Sequence, residues 1–129
     1  MIIDKSSIEF ISKELNLPYS GDEQDWDLEM ANYKRLYDFI SFYSEKLTIN
    51  QKKALMSLIL ASFNDLLNEV GMSDDYWDKI RSVLVSENEI FKDLFVYWGA
   101  SGESGTNNDD NYEITSLLRS TIDNRDKSS

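Results

Sequence analysis

TINQKKALMSLILASFNDLLNEVG, residues 48–71, carries too many apolar residues for a helix with one buried side. Leu55, Ile59, Phe63, Leu66 and Val70 recur at helical spacing as one apolar stripe, and Met56, Leu60 and Leu67 form a second beside it. Ala54, Leu58 and Ala61 cover much of the remaining circumference, and between Ala54 and Ala61 only Ser57 is polar. A helix that is apolar nearly all round needs neighbours nearly all round, so residues 49–70 are expected to form the central helix of a bundle. Thr48 and Gln51 have the spacing of a capping box, and Gly71 supplies the left-handed turn that stops a helix.

The rest of the chain is read outward from this helix. On its N-terminal side, Ser6 and Glu9 repeat the capping-box spacing, and Ile8, Ile11 and Leu15 share a helical face, so a first helix is expected from about Ser7 to Leu15, closed by Asn16 and Pro18. Residues 24–31 are ambiguous. Trp26, Leu28 and Met30 alternate with Asp25, Asp27 and Glu29 as in a strand, while Trp26, Met30, Tyr33, Tyr37 and Ile40 also fit one helical stripe. The expectation is a short extended arm, with Asn32 capping a helix from about Tyr33 to Lys46 that buries Leu36, Tyr37, Phe39, Ile40 and Tyr43. On the C-terminal side, Ser73 caps a helix of about twelve residues. Ser86 with Glu89 gives a third capping-box spacing, before a stripe of Ile90, Phe91, Leu94, Phe95 and Trp98 that ends at Gly99. Residues 100–111 are polar and glycine-rich and read as a mobile acidic loop. Ile114, Leu117, Leu118 and Ile122 then fit a short docking helix before a flexible tail, residues 123–129. The expected fold is all-α: a single-domain bundle of about five to six helices.

Composition excludes more than it selects. A chain of 129 residues suits one domain, which at this size buries roughly two-thirds of its unfolded surface. With no cysteine there is no disulfide, zinc-thiolate site or thiol nucleophile, and with no histidine the usual general base and commonest metal ligand are gone. The N-terminus has Asp4 and Glu9 where an export signal needs basic and apolar segments, and the longest apolar run, Leu58 to Ala61, is far short of the ~20 residues of a membrane span, so the chain reads as soluble and cytoplasmic.

The net charge of −11 disfavours nucleic acid and anionic membranes and points to basic protein partners or to solubility. Residues 1–31 carry −6, residues 32–70 carry +1, and residues 71–98 and 99–129 carry −3 each. The acids thus surround a nearly neutral centre. The candidate partner-binding residues are Asp22, Glu23, Asp25, Trp26, Asp27 and Glu29 on the arm, and Asp74, Asp75 and Tyr76 after the central helix. In the binding reading, Trp26 is an aromatic anchor and the acids steer a basic surface. In the competing one, Trp26 is core, the arm is a solvated loop, and Asp74 and Asp75 merely stabilise a helix N-terminus.

Calcium loops of EF-hand type fail in register. Counted from Asp22, the positions that need glycine and glutamate hold Asp27 and Tyr33; counted from Asp25, they hold Met30 and Leu36. No serine has a partner histidine, no glycine-rich phosphate loop is present, and no spacing selects a pair of carboxylates for sugar hydrolysis. No catalytic residue, metal or cofactor is therefore expected.

Taken together, the Gln24-Asp25-Trp26-Asp27-Leu28-Glu29 arm, the Tyr33 to Tyr43 helix and the Leu55 to Phe63 core resemble small acidic bacterial immunity proteins. The resemblance spans about Gln24 to Asp65 and carries over no binding residue. It implies stoichiometric neutralisation of a toxin, often a basic nuclease, by acidic side chains. The runner-up is a helical adaptor or regulatory protein of phage type, whose partner docks in an apolar groove.

Overall fold

The computed structural model describes residues 4–19, 21, 26–97, 114, 117–118 and 121. Six α-helices occur among them: α1 (Lys5–Glu14), α2 (Trp26–Met30), α3 (Leu36–Phe42), α4 (Ile49–Glu69), α5 (Asp74–Ser86) and α6 (Lys92–Tyr97). A 3-10 turn, Tyr33–Arg35, leads into α3. No strand occurs among the described residues, so the all-α expectation holds. The expected loop, residues 100–111, and the tail, residues 123–129, lie outside the description.

The central helix forms as its sequence dictates. The Thr48 side chain accepts from the Gln51 backbone N–H at 3.1 Å, and Gln51 Oε1 accepts from the Thr48 N–H at 3.0 Å, completing the capping box. At the other end Gly71 adopts φ +131°, which a side chain would resist, and its N–H reaches back to the Leu66 carbonyl. Between these ends every residue from Ala54 to Asn64 is buried. Helices α1, α2 and α3 pack directly on α4. Helix α5 reaches α4 through a large aromatic pair, Phe63 against Trp77, with ring centroids 5.7 Å apart. Ile114 and Leu118 belong to the same core, and Ile114, Leu117, Leu118 and Thr121 are helical, in keeping with a docked last segment.

Burying α4 all round also buries its polar side chains, and each of these ties down a different segment. Ser57 donates to Asp27 of α2, and Ser62 accepts from the Asn32 backbone N–H at 3.0 Å. Asn64 accepts from the Ile114 N–H at 3.1 Å, and Lys52 donates to Glu87 beyond α5 at 2.6 Å. Lys52, Ser57 and Ser62 lie five residues apart, so each is turned about 140° from the one before. The chain is thus fastened to α4 from several directions.

Several local expectations are corrected. Residues 26–30 are helical rather than extended: Trp26 and Met30, one turn apart, are buried together, while Leu28 faces outward. A strand would have placed all three on one side. Helix α1 is capped by Asp4, whose carboxylate accepts from the Ser7 N–H at 2.9 Å, so Ser6 lies inside the helix. Asn16 takes a left-handed φ of +56° and closes α1, as expected of it. Asn32 does cap the next segment, but α3 ends at Phe42, four residues early. Tyr37 is 60% exposed and Val70 is 68% exposed, so neither is core. The Ser86 hydroxyl turns back to the Val83 carbonyl instead of capping α6, which begins only at Lys92.

These contacts predict an uneven cost of truncation. Phe63→Ala is expected to lower unfolding free energy by about 3–5 kcal/mol, whereas Val70→Ala stays within about 0.5 kcal/mol, both read from urea midpoints at constant slope. Equal effects would contradict the burial pattern.

Candidate functional site

The acidic arm is divided by the fold. Asp22, Glu23 and Asp25 lie outside the described residues. Trp26 is buried, and its indole N–H donates to Ser12 Oγ at 3.0 Å, which fixes α2 against α1. Asp27 is only 5% exposed; its carboxylate accepts from Ser57 Oγ at 2.5 Å and from the Leu28 N–H at 2.9 Å. These two side chains join helices to one another and present nothing to solvent. The reason is spacing: a helix that starts at Trp26 turns positions 26, 27 and 30 inward together and leaves Glu29 exposed.

A second acidic surface forms where α4 passes into α5. Residues 65–78 contain Asp65, Glu69, Asp74, Asp75 and Asp78 and no lysine or arginine. Asp74 and Asp75 occupy the exposed first turn of α5, which Ser73 caps by accepting from the Tyr76 N–H, and Tyr76 is half-buried against the core. Burial, followed by the charge of Glu69 one helical turn on, pushes the Asp65 carboxyl above the usual carboxylate range. Among these acids Val70 and Met72 stand out, 68% and 49% exposed. Asp74, Asp75 and Tyr76 are expected here from the sequence; Asp65, Glu69, Val70 and Met72 are not. Summing charge over residues 32–70 and 71–98 cuts this patch in two at its centre.

At the opposite end of α5 lies a polar junction of different character. Glu87 accepts from Lys52 through Oε1 and from the Tyr43 hydroxyl through Oε2. Lys52 is 7% exposed and sits 6.0 Å from the Tyr43 ring centroid, and Tyr43 in turn packs against Phe91. Burial, then the hydrogen bond to Glu87, pushes the Tyr43 hydroxyl far above its ordinary range. For Glu87, burial acts upward, but the bonds from Lys52 and Tyr43 and the Lys52 charge prevail and hold it below the ordinary 4.5. The junction ties the end of α3 and the end of α5 to the first turn of α4.

The remaining surface is mixed in charge. Exposed Tyr37 on α3 lies under the Lys79 ammonium of α5, 5.9 Å from its ring centroid. An open cleft beside the end of α1, lined by Glu9, Ser12, Lys13, Asn16, Leu17 and Tyr19, offers acid and base together. Among the described residues, no group of three or more acidic side chains is arranged to hold a metal ion, and no helix is long and apolar enough to cross a membrane. No protein-family model matches the chain, and neither curated proteins nor solved structures give a significant match.

The junction predicts a pH dependence. Because the folded Glu87 carboxyl titrates below 4.5, its contribution to stability is present above that pH and is lost as pH falls through the folded value. Glu87→Gln should therefore flatten part of the acid limb of a stability–pH profile. It should also cost about 1–3 kcal/mol at neutral pH, because Lys52 stays buried without its anion. Adding Lys52→Met to that variant should restore part of the loss; a double variant less stable than Glu87→Gln would contradict this account.

Proposed function

We propose that the protein is a non-enzymatic binding protein of the immunity type, which neutralises a basic toxin domain by covering it with an acidic surface. The observation that carries this reading is the α4–α5 corner: five acids fall between residues 65 and 78 with no base until Lys79, and Val70 and Met72, exposed and apolar, lie between them in the chain. Apolar contact and charge act differently there. Desolvating Val70 and Met72 favours the bound state, while the acids raise the encounter rate and reject acidic surfaces. A long-range field of this kind supports association at about 10⁸ per molar per second at low salt, which suits an inhibitor that must act before the toxin does. Asp74, Asp75 and Tyr76 are the residues of this surface that the sequence itself points to; Glu29, on α2, is an exposed acid of the arm. The partner is protein rather than nucleic acid or anionic membrane, since phosphate would be repelled. The cytoplasm, where a toxin would act on its own producer, is the compartment this role requires.

The test compares wild type with a Glu69→Gln, Asp74→Asn, Asp75→Asn variant, each immobilised and exposed to native extract over a salt series. Wild type is expected to retain a basic protein in one-to-one ratio, with affinity that falls steeply as salt rises, and to abolish that protein's toxicity on co-expression. The variant should associate at least about tenfold more slowly at low salt. A partner held equally by both proteins and insensitive to salt would instead favour the adaptor reading.

A further inference from the structure

The second feature that bears on binding is the open cleft at the C-terminal end of α5, about 390 Å³ in volume and lined by Tyr43, Ser44, Glu45, Val83, Ser86 and Glu87. Two helix ends meet here, since α3 stops at Phe42 and α5 at Ser86, and neither carries a basic residue in its last turn. The negative end of the α5 macrodipole is therefore uncompensated by its own helix. Glu45 adds to the negative field around Tyr43, and its carboxylate is exposed. Lys52 is the cation that stands in this junction; it donates to one oxygen of Glu87 and does not line the cleft.

The lining is biased towards acceptors. The Ser86 hydroxyl donates its proton to the Val83 carbonyl, which leaves its oxygen able to act only as an acceptor. Ser44 Oγ already accepts from the Lys46 N–H, and its remaining capacity includes one more acceptance. Each Glu87 oxygen holds one donor and has a second lone pair. A planar group with several N–H donors fits this array better than a compact ammonium, whose three donors diverge, and two carboxylates with hydroxyls do not make a dedicated cage for a metal ion.

We propose that this cleft receives an arginine side chain of the protein partner, its guanidinium between Glu45 and Glu87 and its methylene stem against Val83. The proposal rests on the reading of the protein as a binder of a basic protein and adds a specific anchor to it. Helix α5 is thirteen residues long, so the anchor lies about 20 Å from the acidic corner along the helix axis, a distance that one interface of ordinary size spans.

The probe is the peptide acetyl-Gly-Arg-Gly-amide, titrated at low salt into the isotopically labelled full chain, with the citrulline peptide as its uncharged counterpart. Saturable shifts at the amides of Ser44, Glu45, Ser86 and Glu87 are expected with arginine and not with citrulline. Glu45→Gln, an exposed position whose spectrum reports whether the fold is intact, should weaken the arginine response about fivefold. Absence of saturable shifts, an equal response to citrulline, or an undiminished response in Glu45→Gln would overturn the proposal. A failed titration beside partner binding that still depends on the α4–α5 corner removes the cleft alone. A successful titration in a protein that retains no basic partner leaves the cleft standing and removes the wider reading.

Discussion

Helix α4 is buried on every side along its middle, from Ala54 to Asn64, and its polar side chains are buried with it. A helix apolar on one face can leave its polar residues in water; α4 cannot, because Lys52, Ser57, Ser62 and Asn64 are all buried. An unsatisfied polar group there would cost about 1–3 kcal/mol, and an unpaired ammonium more. Each must therefore find a partner in another segment, and each does: Glu87, Asp27, the Asn32 amide and the Ile114 amide. Apolar packing makes the bundle compact, but it tolerates sliding and repacking. The polar contacts are directional, and so they fix which turn of α4 lies against Asp27, Asn32, Glu87 and Ile114.

This division explains why candidate binding surfaces lie at the ends of α5 rather than along the bundle. Helix α5 is held at Trp77, Ile80 and Leu84 and by the Glu87 junction, which leaves its first turn and the cleft at its far end open. The acids that the fold uses internally, Asp27 and Glu87, are paired with hydroxyl or ammonium groups of α4. Those it does not use, Asp74, Asp75 and Asp78, stay exposed on α5. Scaffold and surface are thus drawn from the same residue type, and the partner assigned by the fold separates them.

Elements set by local chemistry were legible in the sequence. The capping box at Thr48, the cap at Ser73, the stop at Gly71 and the full burial of the Ala54 to Phe63 segment need only residues within a turn or two of one another. Spacing alone was insufficient where two local solutions competed. Ser6 and Glu9 have the same spacing as Thr48 and Gln51, yet Asp4 caps α1, and Ser86 bonds backward into α5 rather than forward. Residues 26–30 fit an extended arm as well as a helical turn, because five residues carry too little periodicity to separate the two. The role of Asp27 was beyond local reading altogether: Ser57 is thirty residues away, and only the assembled bundle shows that a carboxylate in an acidic run is buried. The corner around Val70 and Met72 joins the exit of one helix to the entry of the next, so element-by-element reading divides it.

Native-state hydrogen exchange reports these contacts one at a time at two backbone amides that donate to α4 side chains, Asn32 to Ser62 and Ile114 to Asn64. Both should be protected in the wild-type protein. Ser62→Ala should release the Asn32 amide and leave Ile114 protected, while Asn64→Ala should do the reverse, with the amides from Leu55 to Phe63 slow in both variants. If either amide exchanges freely in wild type, or if each substitution loosens both amides equally, the buried polar groups of α4 do not individually hold the segments around it.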